Sequence, residues 1–154
     1  MKRILILAGL LALSGCLGSA PKRPVCWTIE VEPLTAVGRV VVSAPYSGTR
    51  FAVLRADGSL AFDPGNAFAA VPSVILGDAI QSRRTHGVLT VRKLALDCRQ
   101  EGRRDAVVEL EIVRKGEPVH RGSASVGTAD GNYTAAFSAA FAAAYRQAVE
   151  SGAK

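Results

Sequence analysis

The sequence predicts an α+β fold, a two-layer sandwich in which a mostly antiparallel or mixed sheet carries two helices on one face. Three observations lead there. Short runs of β-forming and alternating apolar residues recur from Cys26 to Val126. Two stretches, after Val71 and after Asn132, change to helical spacing. The order along the chain is strands, helix, strands, helix, with no internal repeat and no low-complexity run.

Each element has its own signal. Cys26–Val31 alternates and reads as a strand that Pro33 stops. Arg39–Ser43 is continuously apolar at its centre, which predicts a central strand. Arg50–Arg55 and Ser59–Phe62 flank Asp57-Gly58, a tight-hairpin signal. Asp63-Pro64-Gly65-Asn66 is a turn cluster. Between Ala67 and Gln81, Phe68, Val71, Ile75, Ala79 and Ile80 fall near helical spacing, and Pro72-Ser73 suits a helix start. Gly77 weakens that helix.

Ser82–Gly87 is a basic loop, and Val88–Cys98 alternates with a slip at Arg92-Lys93 that predicts a bulge. Gln100–Arg104 is a charged turn. Ala106–Arg114 and Pro118–Val126 form a hairpin around Lys115-Gly116-Glu117. Asp130 or Asn132 caps a last helix over Tyr133–Ser151, which Gly152 ends. Its Tyr133, Phe137, Phe141 and Tyr145, spaced by four, form a stripe for packing on the sheet. The alanines on the rest of the helix suit either a second subunit or a bare helical surface, so a homo-oligomer is compatible with the sequence.

Composition narrows the function. The chain has 154 residues, about one domain. Apolar residues are 49% and charged residues 21%, which describes a globular protein and not a disordered one. Two His and three Cys give little material for a metal site. A large multidomain enzyme, a collagen-like chain and a polytopic membrane protein are excluded.

The N-terminus predicts export. Lys2 and Arg3 precede the apolar run Ile4–Leu13, which as a helix would span roughly 15 Å, about half of a bilayer's hydrocarbon core. A basic segment before a short apolar core is the form of a signal peptide. Leu13-Ser14-Gly15-Cys16 follows and resembles the bacterial lipobox. Small Ser14 and Gly15 let the Gly15–Cys16 bond enter a protease site, and the Cys16 thiol is the group that takes a diacylglycerol. Multiple acyl chains anchor stably, whereas one binds marginally.

The expected organisation is therefore a signal peptide over 1–15, lipidated Cys16 with a Pro- and Gly-containing tether over 16–25, and one periplasmic domain over 26–154. Cleavage removes Lys2 and Arg3 and so lowers the formal charge of +6 by two. Export argues against a nucleic-acid partner despite the basicity. Leu17, and not Asp, follows Cys16, which favours the periplasmic face of the outer membrane in a Gram-negative cell. With Cys16 used by the lipid, Cys26 and Cys98 remain as an even pair in an oxidising compartment. The expectation is a disulfide, whose loop of about 73 residues would contribute on the order of 4 kcal/mol. The alternative is two free thiols.

No catalytic constellation stands out. The sequence has no phosphate-binding GxxxxGK loop, no His-Glu-x-x-His, no paired-Cys zinc spacing and no Gly-x-Ser-x-Gly elbow. His86 and His120 lack a partner visible in the sequence. Asp57 and Asp63 sit where turn chemistry explains them. Arg83-Arg84 and Arg103-Arg104 could meet lipid phosphates, with solvated loop tips as the plainer reading. The expectation is a non-enzymatic protein with no metal and no cofactor.

Several segments resemble one family. Cys26-Trp27-Thr28-Ile29-Glu30-Val31-Glu32-Pro33 is similar to the aromatic-plus-strand opening of the PqiC-like ABC-type transport auxiliary lipoproteins. Val40–Tyr46, Arg50–Gly58 and Phe62–Pro72 resemble its next strand and loop, its hairpin and its passage into the first helix, and the Ala-rich last helix also fits. The chain departs from the pattern around Gly77–Gly87, where a long helix and a following strand are shortened. The resemblance implies an outer-membrane lipoprotein that works with an MCE-domain protein and an ABC transporter in moving lipid between membranes. It implies docking of the periplasmic conduit, not catalysis. The competing readings are an assembly lipoprotein for an outer-membrane protein and a small lipid-binding module.

Overall fold

The computed structural model describes residues 22–152. Seven strands form one open mixed sheet: β1 (Val25–Trp27), β2 (Arg39–Val42), β3 (Arg50–Leu54), β4 (Leu60–Phe68), β5 (Val88–Asp97), β6 (Asp105–Val113) and β7 (His120–Gly127). The helices are α1 (Pro72–Asp78) and α2 (Tyr133–Ser151). The strand order is β1-β4-β3-β5-β6-β7, with β2 also on β5. The expected α+β architecture is present.

β5 organises the sheet. Its first half pairs in parallel with β2, Arg39 opposite Val88 and Val42 opposite Val91. Its second half pairs in parallel with β3, Ala52 opposite Ala95 and Leu54 opposite Asp97. So β2 and β3 lie end to end along one side of β5, as one interrupted strand. The break falls beside the bulge between Val91 and Lys93, where the sequence placed a slip. On its other side β5 pairs antiparallel with β6 along its whole length, and β6 with β7.

Three local expectations are corrected. β2 is not a central strand, because β5 is its sole partner and Arg39–Val41 stay partly or fully exposed. The first strand is three residues and not six. Beyond Trp27 the chain meets α2 instead of a strand: Thr134 Oγ1 accepts from Thr28 N at 3.4 Å and Ser138 Oγ from Glu30 N at 2.8 Å. Asp63–Asn66 is a bulge inside β4 rather than a turn between elements. The turn chemistry is nonetheless real. Asp63 Oδ1 accepts from Gly65 N at 2.7 Å, and Asn66 holds Asp63 with one amide atom and the Trp27 indole with the other.

The helices follow their signals closely. Pro72 opens α1, and Asn132 Oδ1 caps α2 by accepting from Ala135 N at 3.0 Å. Alternation on β6 puts Ala106, Val108, Leu110 and Ile112 on the face that α2 covers, in register with Leu96, Leu94, Val91 and Leu89 of β5. Leu76 of α1 joins the same core.

Two rows of α2 are buried. Tyr133, Phe137 and Phe141 form the expected aromatic row. Beside it Ala136, Ala140, Ala144 and Ala148 are also 4% exposed or less, so half of the alanine surface is core and not a free face. This row seats on β7 at Gly122, where any Cβ would collide with the Ala144 carbonyl oxygen.

Gly122→Ala should therefore cost about 2–3 kcal/mol or more, because the obstruction is helix backbone and cannot rotate away. Gly48→Ala, in open space, should stay within about 0.5 kcal/mol. Urea unfolding of both variants checks the contrast.

Candidate functional site

The anchor residues expected from the sequence, Gly15 and Cys16, lie outside the described residues, as do the signal peptide and most of the tether. Among the described residues no helix is long and apolar enough to cross a membrane.

The cysteines do not meet. Cys26 lies in β1 opposite Ala67 of β4, which is opposite Arg50 at the start of β3. Cys98 follows β5 and donates its N–H to Leu54 O, at the end of β3. Three strand spacings, about 14 Å, separate β1 from β5, whereas a disulfide needs Cα atoms within about 7 Å. Both thiols are free. The even count in the sequence carried no information on strand order, and β4 and β3 intervene. Burial pushes the Cys98 thiol above its ordinary pKa, while Cys26 is exposed.

The histidines are also apart. His86 is exposed in the loop before β5. His120 opens β7 and is 8% exposed, with Gly152 packed against its ring and Glu117 Oε2 at 3.6 Å from Nε2. Among the described residues no group of three or more His, Cys, Asp or Glu could hold a metal ion. Ser59, by its side-chain hydroxyl first and then by its N–H, which Asp57 Oδ1 accepts at 2.9 Å, holds the Asp57 carboxyl below the usual range, and this accounts for Asp57 as a turn residue.

Four cavities among the described residues are places a ligand could enter. The most apolar, about 280 Å³, runs between the segment after β1 and the C-terminal half of α2, lined by Val31, Leu34, Phe141, Tyr145 and Val149. Arg146, Glu32 and Glu150 stand at its mouth, and the Tyr145 hydroxyl accepts from Ala36 N at 3.2 Å. A polar cavity of about 440 Å³ lies at the far end of the sheet, bordered by Cys98, Arg103, Arg104, Thr128 and Tyr133. A smaller one, about 200 Å³, lies among Asp97, Arg99, Arg103 and Asp105. The fourth, about 360 Å³, sits beside β7 between Arg92, Glu111, Arg121 and Gln147.

Charges on the open face are mostly spent on each other. Arg121 and Arg92 both donate to Glu111, at 3.0 and 2.8 Å, and Lys93 to Glu109 at 2.9 Å. The Arg103-Arg104 pair is occupied as well: Arg103 bonds Asp105 at 2.9 Å, and Arg104 donates to the Tyr133 hydroxyl at 3.0 Å. Arg83 and Arg84 have no such partners among the described residues. The sequence presents these two pairs as equals, and the fold separates them.

No family model matches the chain, and no curated protein matches it. Solved structures do. The crystal structure of a Xanthomonas campestris protein, described under the family model DUF330, aligns with a TM-score of 0.53 over 86% of each chain at 19% identity. The chain has the fold of a DUF330 protein. A second crystal structure, of an uncharacterized protein, aligns with a TM-score of 0.53 over 85% of this chain and 95% of its own at 10% identity. Identities this low establish the shared sheet-and-helix architecture and nothing finer.

Two measurements follow. A thiol reagent should label both cysteines of the native chain Leu17–Lys154 without reductant, Cys26 fast and Cys98 slowly; protection of both would restore the disulfide. Glu111 is held below its ordinary pKa by hydrogen bonds from Arg121 and then Arg92. A lowered folded pKa contributes stability above the ordinary glutamate value, and that stability is lost as pH falls through the lowered one. Glu111→Gln should thus cost about 1 kcal/mol or less at pH 7 and nothing at strongly acid pH, read from denaturation midpoints at both.

Proposed function

We propose that the chain is a lipoprotein acylated at Cys16 and held on the periplasmic face of the outer membrane. It serves there as a non-catalytic auxiliary component of an MCE/ABC-type lipid transport system. The observation that carries this reading is the leader: basic Lys2-Arg3, the apolar run Ile4–Leu13, then Leu13-Ser14-Gly15-Cys16. The fold is compatible support, since it is shared over 86% of the chain with the DUF330 structure. In this reading the acyl chains fix the domain to one membrane, and the domain docks the end of the periplasmic conduit. Tethering raises the effective concentration of the docking surface, so weak contacts suffice. The transported molecule, a phospholipid or similar hydrophobe, need not touch this domain.

A second reading, a small lipid-binding module, is favoured by the groove at Val31, Leu34, Phe141 and Tyr145. Native mass spectrometry of the mature domain decides it. A bound lipid lost in Ala142→Trp, which fills the groove, would promote this reading.

The transport reading is tested with the tagged full-length protein, crosslinked in native envelopes and run beside Cys16→Ala. The expected result is membrane retention and recovery of an MCE-domain protein with ABC components, and release of Cys16→Ala into the soluble fraction. Recovery of a β-barrel protein alone would replace transport by an assembly role. Retention of Cys16→Ala in the membrane through a wash at about 0.5 M salt, which releases a surface held by charge alone, would remove the anchor from the proposal.

A further inference from the structure

One end of the sheet is built unlike the other. At the start of β5, Arg39, Val88 and Val113 stand in one cross-strand row on the open face, with Val119 in the connection leading into β7. Val113 and Val119 are 40% and 46% exposed, large values for aliphatic side chains. Around them are Arg83, Arg84 and His86 of the loop before β5, and Arg114 and Lys115 of the turn after β6. Backbone contacts bring these segments together. Gly38 N donates to Gly87 O at 2.8 Å, a Cβ at Gly38 would collide with the Thr85 carbonyl oxygen, and Arg114 Nε reaches Ala36 O at 3.4 Å. Glycine at 38 thus permits the loop to be held against the strand, with its arginines on the rim.

The rim's cations are unpaired. Arg39, Arg83, Arg84 and Lys115 are exposed and make no ion pair among the described residues. The carboxylates at this end are Glu32, Asp78, Glu117 and Glu150; Glu117 is taken by Arg114 at 3.1 Å, and Glu32 and Glu150 line the groove beside α2, on the covered face of the sheet and not among the rim's cations. At the opposite end Arg99 and Arg103 each hold an aspartate, Asp97 and Asp105, at 2.6 and 2.9 Å. No residue of the rim lines any of these four cavities.

We infer that this rim is a docking surface for an anionic phospholipid bilayer. Free cations flanking exposed aliphatic side chains, on a surface built from turns, fit a plane of phosphate headgroups over an apolar layer. The inference stands on the rim and not on lipidation of Cys16, so either can fail without the other.

The test is vesicle co-sedimentation of the chain Leu17–Lys154, which lacks the leader and retains every described residue. Vesicles of phosphatidylcholine with about 30% phosphatidylglycerol should bind it, and pure phosphatidylcholine should not. Raising salt from about 0.05 to 0.5 M should release it. Each cation near such a surface is worth roughly a five-fold change in binding, so Arg39→Gln/Arg83→Gln/Arg84→Gln/Lys115→Gln should weaken it on the order of 100-fold or more. Arg84→Glu alone, a change of two charges at an exposed loop position, should weaken it about 25-fold and guards against a folding defect in the quadruple variant. Arg99→Gln/Arg103→Gln, at the other end, should bind as the parent does. Absence of binding to anionic vesicles, equal binding to neutral ones, or parent-like binding by both rim variants would overturn the inference.

Discussion

The fold rests on how closely α2 can approach β7. Gly122 has no side chain where the Ala144 carbonyl passes, and the alanine row from 136 to 148 offers no bulk to hold the helix off. That seat is what lets the neighbouring row reach across the sheet. Tyr133 meets Trp27 and Phe51 with ring centroids 5.2 and 5.5 Å apart, and Phe137 meets Phe51 and Phe68 at 5.2 and 5.3 Å. These edge-on contacts join the β7 side of the sheet, where α2 sits, to the β3-β4 side, which α2 would otherwise leave uncovered. Each buried aromatic contributes about 1.5–3 kcal/mol by area alone, and the pairs add about 0.5–1.5 more. A helix lifted by one methyl layer would lose part of this on every ring at once, because packed interiors do not deform gradually.

The same helix closes backbone donors that the sheet leaves open. Thr134 and Ser138 take the N–H groups of Thr28 and Glu30, and Gln147 Oε1 takes Ser123 N on the free edge of β7 at 2.8 Å. This accounts for a first strand that ends early. A chain that can satisfy its donors on hydroxyls of α2 has no need to extend the ladder. It also blunts the β7 edge against pairing with another chain.

Much of this was legible in the residues. The Arg92-Lys93 slip, the Asp57-Gly58 hairpin, the Pro72 start and the Asn132 cap are local devices, and each acts within a few positions of itself. What the sequence did not reveal is who neighbours whom. Alternation states which face a side chain takes, and says nothing about the strand beside it. Hence Val40–Val42 read as central when they line an outer position, and Cys26 and Cys98 read as a pair when two strands stand between them. The alanine row was ambiguous for a related reason: alanine is equally at home on a bare helix and against a glycine, and Gly122 lies some twenty residues away in another element.

The charge pattern carries the same lesson toward function. Arg83-Arg84 and Arg103-Arg104 are indistinguishable as dipeptides. In the fold, Arg103 and Arg104 serve the end of the sheet that Asp105 and Tyr133 supply, while Arg83 and Arg84 are brought by the Gly38–Gly87 contact to the other end, where no carboxylate among the described residues pairs with them. The domain is therefore polar along its strands. β1 runs parallel to β4, and β4 runs opposite to β3 and β5, so β1 points toward the basic end. Lys22–Pro24, which precede β1, accordingly approach from the other end. If the anchor and the rim both act as proposed, one domain engages lipid at two opposite ends, by acyl chains through the tether and by headgroups at the rim.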